Sequence, residues 1–284
     1  MSRIAYLGPA GTFNEDALRL ATRDGDPVTP LRASTVREAI LAVESGEAER
    51  ALVPFENSTE GSVRATLDTL ALEATGVEIV GEFDYPVRAS LIARRPLALA
   101  RIAAVLSHPQ ALAQSARFLR ERLPQAEARA APSTAEAVRE VSASHEPLAA
   151  LGARSAAELY GCEVLVEDVS DEADNVTRFV WVAPAGTIPR GEGPWKTSLV
   201  FSELGEDHPG ALVEALVEFS GREINLTRIE SRPLRRGLGR YMFFCDLEGS
   251  ASSAPVAEAI EGLRGKAESV RILGSYPVSG GAGT

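Results

Sequence analysis

The eleven residues Pro184-Ala185-Gly186-Thr187-Ile188-Pro189-Arg190-Gly191-Glu192-Gly193-Pro194 set the tightest limit on what this chain can fold into. Three prolines and three glycines fall in that window. Proline removes a backbone donor and fixes φ, and glycine loses the most backbone freedom on ordering. Neither a helix interior nor a central strand therefore runs through the segment. At 284 residues the chain is long enough for two domains. The expected division is a domain over 1–184, a linker over 185–194 and a domain over 195–284.

Ahead of the linker, strand-like and helix-like segments alternate. Residues 3–7 read as a strand closed by Gly8-Pro9-Ala10-Gly11. Thr12 reads as the N-cap of a helix carrying Ala17, Leu18 and Leu20, with Glu15 placed as in a capping box. Ser34 precedes a second helix, with Val36, Ile40 and Val43 on one face. Strands follow at 51–54, 77–81 and 148–151, and further helices after Pro109 and Ser133. This alternation predicts an α/β domain with mostly parallel sheets, in two lobes with a cleft. Beyond the linker, strands at 197–201, 224–229, 241–247 and 270–273 enclose helices at 209–219 and around Val256, Ala259, Ile260 and Leu263. That β-α-β-β-α-β order is the ferredoxin-like arrangement.

Composition narrows the function. Hydrophobic residues make up 45% and charged residues 24%, as in ordinary soluble globular proteins. The N-terminus enters a strand directly, with no leader and no apolar run of membrane-spanning length, so a cytoplasmic protein without membrane association is expected. A net charge of −11 argues against a nucleic-acid partner, yet a few arginines placed in a cleft can outweigh a diffuse opposing field and hold a small anion. Cys162 and Cys245 read as small buried residues rather than a disulfide. His108, His145 and His208 are scattered, so neither a metal site nor a cofactor is expected.

Several short segments carry chemistry. Asn175-Val176-Thr177-Arg178-Phe179 sets a hydroxyl beside a guanidinium at the start of an apolar run. Arg178 reads either as a solvated strand-end arginine or as a bidentate carboxylate anchor. Asn57 and Ser58 follow Val53-Pro54-Phe55-Glu56 at a strand end, where they serve a turn or a ligand. Residues 8–11 form a turn able to cradle an anion at a helix start, without the spacing of a nucleotide-binding loop. Ser107, His108, Gln110 and Gln114 cluster at another helix start, where His108 lacks an acid partner and reads as a capping residue.

Taken in order, five motifs resemble the monofunctional prephenate dehydratases with a C-terminal ACT regulatory domain, over nearly the whole chain. They are residues 6–13, residues 53–58 with Gly61, Ser107-His108-Pro109-Gln110 with Gln114, residues 175–179, and the pair Gly210-Ala211-Leu212 and Glu230-Ser231-Arg232-Pro233. Phe55 departs from the aliphatic residue expected there. Pro132 stands where some relatives carry an acid. The resemblance implies a two-lobed catalytic domain like the type II periplasmic-binding-protein folds, followed by a ferredoxin-like βαββαβ ACT domain.

The implied reaction is the decarboxylating dehydration of prephenate to phenylpyruvate, CO2 and water, in L-phenylalanine biosynthesis. Thr177 is the implied catalytic residue, as a donor to the departing hydroxyl. Arg178, Phe179, Asn57, Ser58, Thr12, Ser107, Gln110, Gln114 and Asn175 are the implied substrate-binding set. Gly210, Ala211, Leu212, Asn225, Leu226, Glu230, Ser231 and Arg232 are the implied site for inhibitory L-phenylalanine, in a homodimer or homotetramer. Arogenate is the alternative substrate, and a ligand sensor without chemistry the alternative class. With the match starting near Arg3, no fused chorismate mutase domain is expected.

Overall fold

The computed structural model describes every residue except Ala173, 206–208, Arg236 and 279–284; His208 therefore lies outside the described residues. These described residues form three sheets. The first has the order β2-β1-β3-β11-β5, with β4 paired antiparallel to β3. Its strands are β1 (Ser2–Leu7), β2 (Val28–Ala33), β3 (Arg50–Asn57), β4 (Gly61–Ser62), β5 (Val77–Pro86) and β11 (Val176–Pro184). Helices α1 (Phe13–Ala21), α2 (Val36–Glu44) and α3 (Arg64–Leu72) connect them.

The second sheet has the order β10-β6-β9-β7-β8, from β6 (Ser90–Ala93), β7 (Ala104–Ser107), β8 (Glu127–Ala130), β9 (Leu148–Gly152) and β10 (Glu163–Val166). Its helices are α4 (Pro109–Ala113), α5 (Ala116–Arg122), α6 (Thr134–Ala143) and α7 (Arg154–Tyr160). This sheet is mixed rather than mostly parallel. β7 runs parallel to β8 and β9, whereas β6 runs antiparallel to β9 and β10. Parallel neighbours need long crossovers, which α4, α5 and α6 supply around β7; the segment from β6 to β7 holds only a 3-10 turn.

The third sheet is antiparallel, in the order β13-β14-β12-β15, from β12 (Trp195–Ser202), β13 (Leu226–Pro233), β14 (Tyr241–Glu248) and β15 (Ser269–Pro277). With α8 (Ala211–Ser220) and α9 (Ala254–Arg264) it forms the expected βαββαβ unit. Leu199, Phe201, Phe219, Ile260 and Leu263 fill its core.

Local capping explains the helix starts, with one departure. The Ser133 hydroxyl accepts from Glu136 N at 3.0 Å, and His108 Nδ1 accepts from Gln110 N at 3.3 Å, so both act as the expected caps. Thr12 stands at the expected N-cap position of α1 but makes no side-chain cap bond: its hydroxyl donates to Pro9 O at 2.9 Å. Glu15 instead accepts from Gly11 N and from the Tyr6 hydroxyl, both at 2.7 Å, and so braces the 8–11 turn against β1. Both cysteines are free thiols, and burial pushes Cys245 up to about 12.

The chain divides into two compact units. One contains Met1–Ala39, Leu52–Val63 and Asp84–Phe179. The other contains Ile40–Ala51, Arg64–Phe83 and Val180–Thr284, so the third sheet shares a unit with α3 and most of β5. Inside that second unit, Lys196 Nζ lies 2.9 and 2.7 Å from the two Glu82 carboxylate oxygens, with both side chains largely buried. A Cβ at Gly274 would stand 2.1 Å from Ile79 O, so β15 meets β5 backbone to side-chain-free backbone.

Candidate active site

A cavity of about 770 Å³ lies wholly within the first unit. Leu7, Pro54 and Thr177 bring the ends of β1, β3 and β11 to it, and Gln110 and Thr134 bring the starts of α4 and α6. Thr12, Asn57, Gln110, Gln114, Asn175, Thr177 and Phe179 are the expected site residues that line it.

A relay of side-chain amides organises one wall. Asn57 Oδ1 accepts from Thr59 N and Glu60 N, each at 3.0 Å. Backbone N–H groups only donate, so these two bonds fix which end of the amide is oxygen. Its Nδ2 therefore faces the other way, donating to Asn175 Oδ1 at 2.7 Å and to Thr177 Oγ1 at 3.0 Å. Asn175 Nδ2 in turn donates to Gln114 Oε1 at 3.2 Å. Gln114 Nε2 is left as a buried donor with no hydrogen bond. The polarity thus runs from backbone to cavity: Thr177 is held as an acceptor, which leaves its own proton free to give.

Three expected site residues sit elsewhere. Alternation along β11 puts Thr177 and Phe179 on the cavity face and Arg178 on the other. There the Arg178 guanidinium is 4.8 Å over the Phe55 ring and 3.5 Å from Glu56 Oε2. Ser107 is fully buried, and its hydroxyl donates to Leu151 O at 2.7 Å. Ser58 accepts from Val176 N at 3.0 Å and donates to Asp174 O at 3.2 Å, stitching β3 to the start of β11.

No arginine or lysine occurs among the described residues lining the cavity. Phe13, Asn14, Ser133 and Thr134 bring the starts of α1 and α6, the anion-favouring ends of those helices, to a wall that also carries the carboxylates of Glu60 and Glu136. Glu136, also on the wall, is held by Arg139, whose hydrogen bond keeps its carboxyl below the usual range. The sequence reading missed Asn14, Ser34 and Thr134; their first-turn or pre-helix positions were the available signal.

Comparison with known proteins decides the family. The sequence model of the prephenate dehydratase family matches residues 4–186. The chain belongs to the prephenate dehydratase family. A second match, to the ACT domain, covers residues 203–265, so the family's enzymatic fold is followed here by an ACT domain. The prephenate dehydratase of Mycolicibacterium vanbaalenii is 42% identical over 289 residues, covering 98% of this chain and 91% of the relative. Among solved structures, the prephenate dehydratase of Arthrobacter aurescens in complex with L-Phe is 40% identical with a TM-score of 0.87, covering 97% of this chain and 90% of that one. A chain described as GqqA, a novel type of quorum quenching acylase, is 32% identical with a TM-score of 0.86, over 98% of both chains.

On the C-terminal side, the expected effector residues fall on α8, β13 and the segments before them. Gly210 opens α8 at φ +100°, in the left-handed region where a side chain is strained. Asn225 Nδ2 donates to Glu248 Oε1 at 3.0 Å, and Glu230 accepts from Arg228 at 2.7 Å. Arg232 is engaged by Asp68, with bonds of 2.7 and 2.8 Å. Among the described residues no helix is long and apolar enough to cross a membrane, and no group of three or more His, Cys, Asp or Glu is placed to hold a metal ion.

Proposed function

We propose that the chain converts prephenate to phenylpyruvate, CO2 and water, with Thr177 as hydrogen-bond donor to the leaving oxygen and conduit for a solvent proton that turns the departing hydroxide into water. The observation carrying this reading is the fixed polarity of the Asn57–Thr177 bond inside a cavity of ligand size. As CO2 departs, the electron pair of its bond to the ring moves inward, and the ring hydroxyl leaves with its own bonding pair. A donor placed at that oxygen stabilises charge that develops only in the transition state. Gln110 and the starts of α1 and α6 supply the neutral donors for the two substrate carboxylates. Phe179 packs edge-on to Tyr85 at a centroid distance of 6.3 Å and gives the ring a dry wall.

L-phenylalanine is the proposed inhibitor, acting at Gly210, Ala211 and Leu212 with Asn225, Leu226 and the Glu230-Ser231-Arg232 segment. The L-Phe complex of the Arthrobacter aurescens relative supports this. A homodimer or homotetramer is proposed from an apolar surface on the third sheet's domain. Val213 and Val217 are 65% and 54% exposed on α8, and β13 ends its sheet with Ile229 49% exposed. A cytoplasmic location fits a biosynthetic enzyme.

The acylase described for one relative is a poorer fit. Acyl transfer through Thr177 needs a base to take its proton, yet the group hydrogen-bonded to its oxygen is a donor. Arogenate stays the alternative substrate. Incubating the purified protein with prephenate and with arogenate separates the readings: phenylpyruvate from prephenate is expected. Phenylalanine from arogenate alone would move the assignment, and turnover of neither would leave a sensor.

A further inference from the structure

We infer that Asp68 and Arg232 form a latch through which the C-terminal domain acts on the wall of the cavity. Arg232 then grips helix α3 instead of serving as a ligand for the effector's carboxylate. The inference rests on the proposed regulation by phenylalanine and names the part that transmits it.

The geometry is a two-pronged ion pair. Arg232 Nε and Nη2 lie 2.7 and 2.8 Å from the two Asp68 oxygens, with side chains 11% and 12% exposed. Arg235 adds a bond of 2.6 Å to Asp68 Oδ2. A guanidinium whose fork is filled by one carboxylate has its strongest binding edge committed. Helix α3 is held a second time from the same sheet. Arg271 donates to Leu70 O at 2.5 Å and Ala74 O at 2.7 Å, placing a cation at the helix's C-terminal end. At its other end α3 starts at Arg64, directly after residues 60–63, all four of which line the cavity. Asp68 therefore sits on a helix that follows the cavity-lining residues 60–63 directly in the chain. A change at the Glu230-Ser231-Arg232-Pro233 segment that alters the fork must alter the hold on α3. This is how a second site biases a two-state element.

The test uses full-length wild type, Asp68→Asn and Asp68→Glu, with phenylalanine binding by calorimetry beside inhibition of prephenate turnover. Asp68→Asn is expected to keep basal turnover and to bind phenylalanine within about threefold of wild type. Its inhibition should fade towards none, from the coupling factor of about 5–150 usual for linked sites. Asp68→Glu, which keeps the charge at a different reach, should recover part of the response. If Asp68→Asn fails to fold, Asp68→Glu and the exposed-side Arg235→Ala decide, each expected to weaken inhibition more than binding. Inhibition equal to wild type in the folded variants overturns the latch. So does phenylalanine binding tightened by more than about tenfold in Asp68→Asn, because the effector would then be competing for Arg232. A wild-type protein that turns over prephenate but neither binds nor responds to phenylalanine fails the regulatory reading itself, and the latch falls with it.

Discussion

Asn57 donates its side-chain amide to the Thr177 hydroxyl across 3.0 Å, and two backbone N–H groups hold that amide the right way round. The two residues are 120 positions apart in sequence, so the proton-donating sense of Thr177 is a property of the fold.

Thr177→Ala is expected to fold and bind substrate with modest loss, while turnover falls by about two to four decades, the scale of a lost acid or transition-state donor. Thr177→Ser keeps the hydroxyl and should recover most of it. Steady-state kinetics of both variants check the point; near-normal turnover in Thr177→Ala removes the residue from the mechanism.

Asn57→Asp keeps an acceptor for Thr59 N and Glu60 N but cannot donate to Thr177. The threonine proton would turn towards the new carboxylate. Turnover is expected to drop by about 10²–10³, as for loss of one aligned donor, with a smaller change in KM. A comparable rise in KM with unchanged turnover would make Asn57 a substrate ligand instead.

Arg178→Lys tests two roles of one side chain. From its place over Phe55, the guanidinium contributes a planar stack that an ammonium does not reproduce. The expected outcome is a loss of stability of about 1 kcal/mol in urea unfolding, with KM changed less than about threefold. A large rise in KM for prephenate would establish the carboxylate anchor that the family resemblance implies.

Asp16 offers a stability test against pH. It is buried, and burial above all raises its carboxyl above 3.8, outweighing the lowering effect of Arg19 and Tyr85, which donate to it. A raised folded value means the native state binds the proton more tightly than the unfolded one. Its stabilising contribution is full below pH 3.8 and lost as pH rises through the folded value. Asp16→Asn, neutral throughout, should melt about 2–4 °C higher than wild type at pH 7 for each kcal/mol regained, with the advantage gone below pH 3.8. An unchanged or lower melting temperature at pH 7 rejects this account.

Much of this architecture was legible because it repeats simple periods. The βαββαβ order follows from the spacing of Leu212, Leu216 and Phe219 on α8 and from the strand runs around it. β8 was not legible: its Glu127-Ala128-Arg129-Ala130 run is exposed throughout, so no buried face marks it. β2 hid for a related reason, carrying Pro30 on the outermost strand of its sheet. In the site, motif membership pointed to Arg178 and Ser107, but strand alternation and a buried carbonyl decide where their polar atoms go. Asp68 gave no signal at all, since a lone aspartate on a helix acquires meaning only from the arginine that reaches it.

The missing side chain at Gly274 has a bearing on how such a chain could be recombined. The fit of the last strand is keyed: β15 touches Ile79 with no room for a methyl group, and Lys196 sits on Glu82 beside it. Residues 64–83 and the final strand therefore form a lock and its key that must travel together. A chimaera that swaps the terminal domain at the proline-rich tether inherits a mismatched pair unless position 274 stays glycine, whatever length of tether joins the halves.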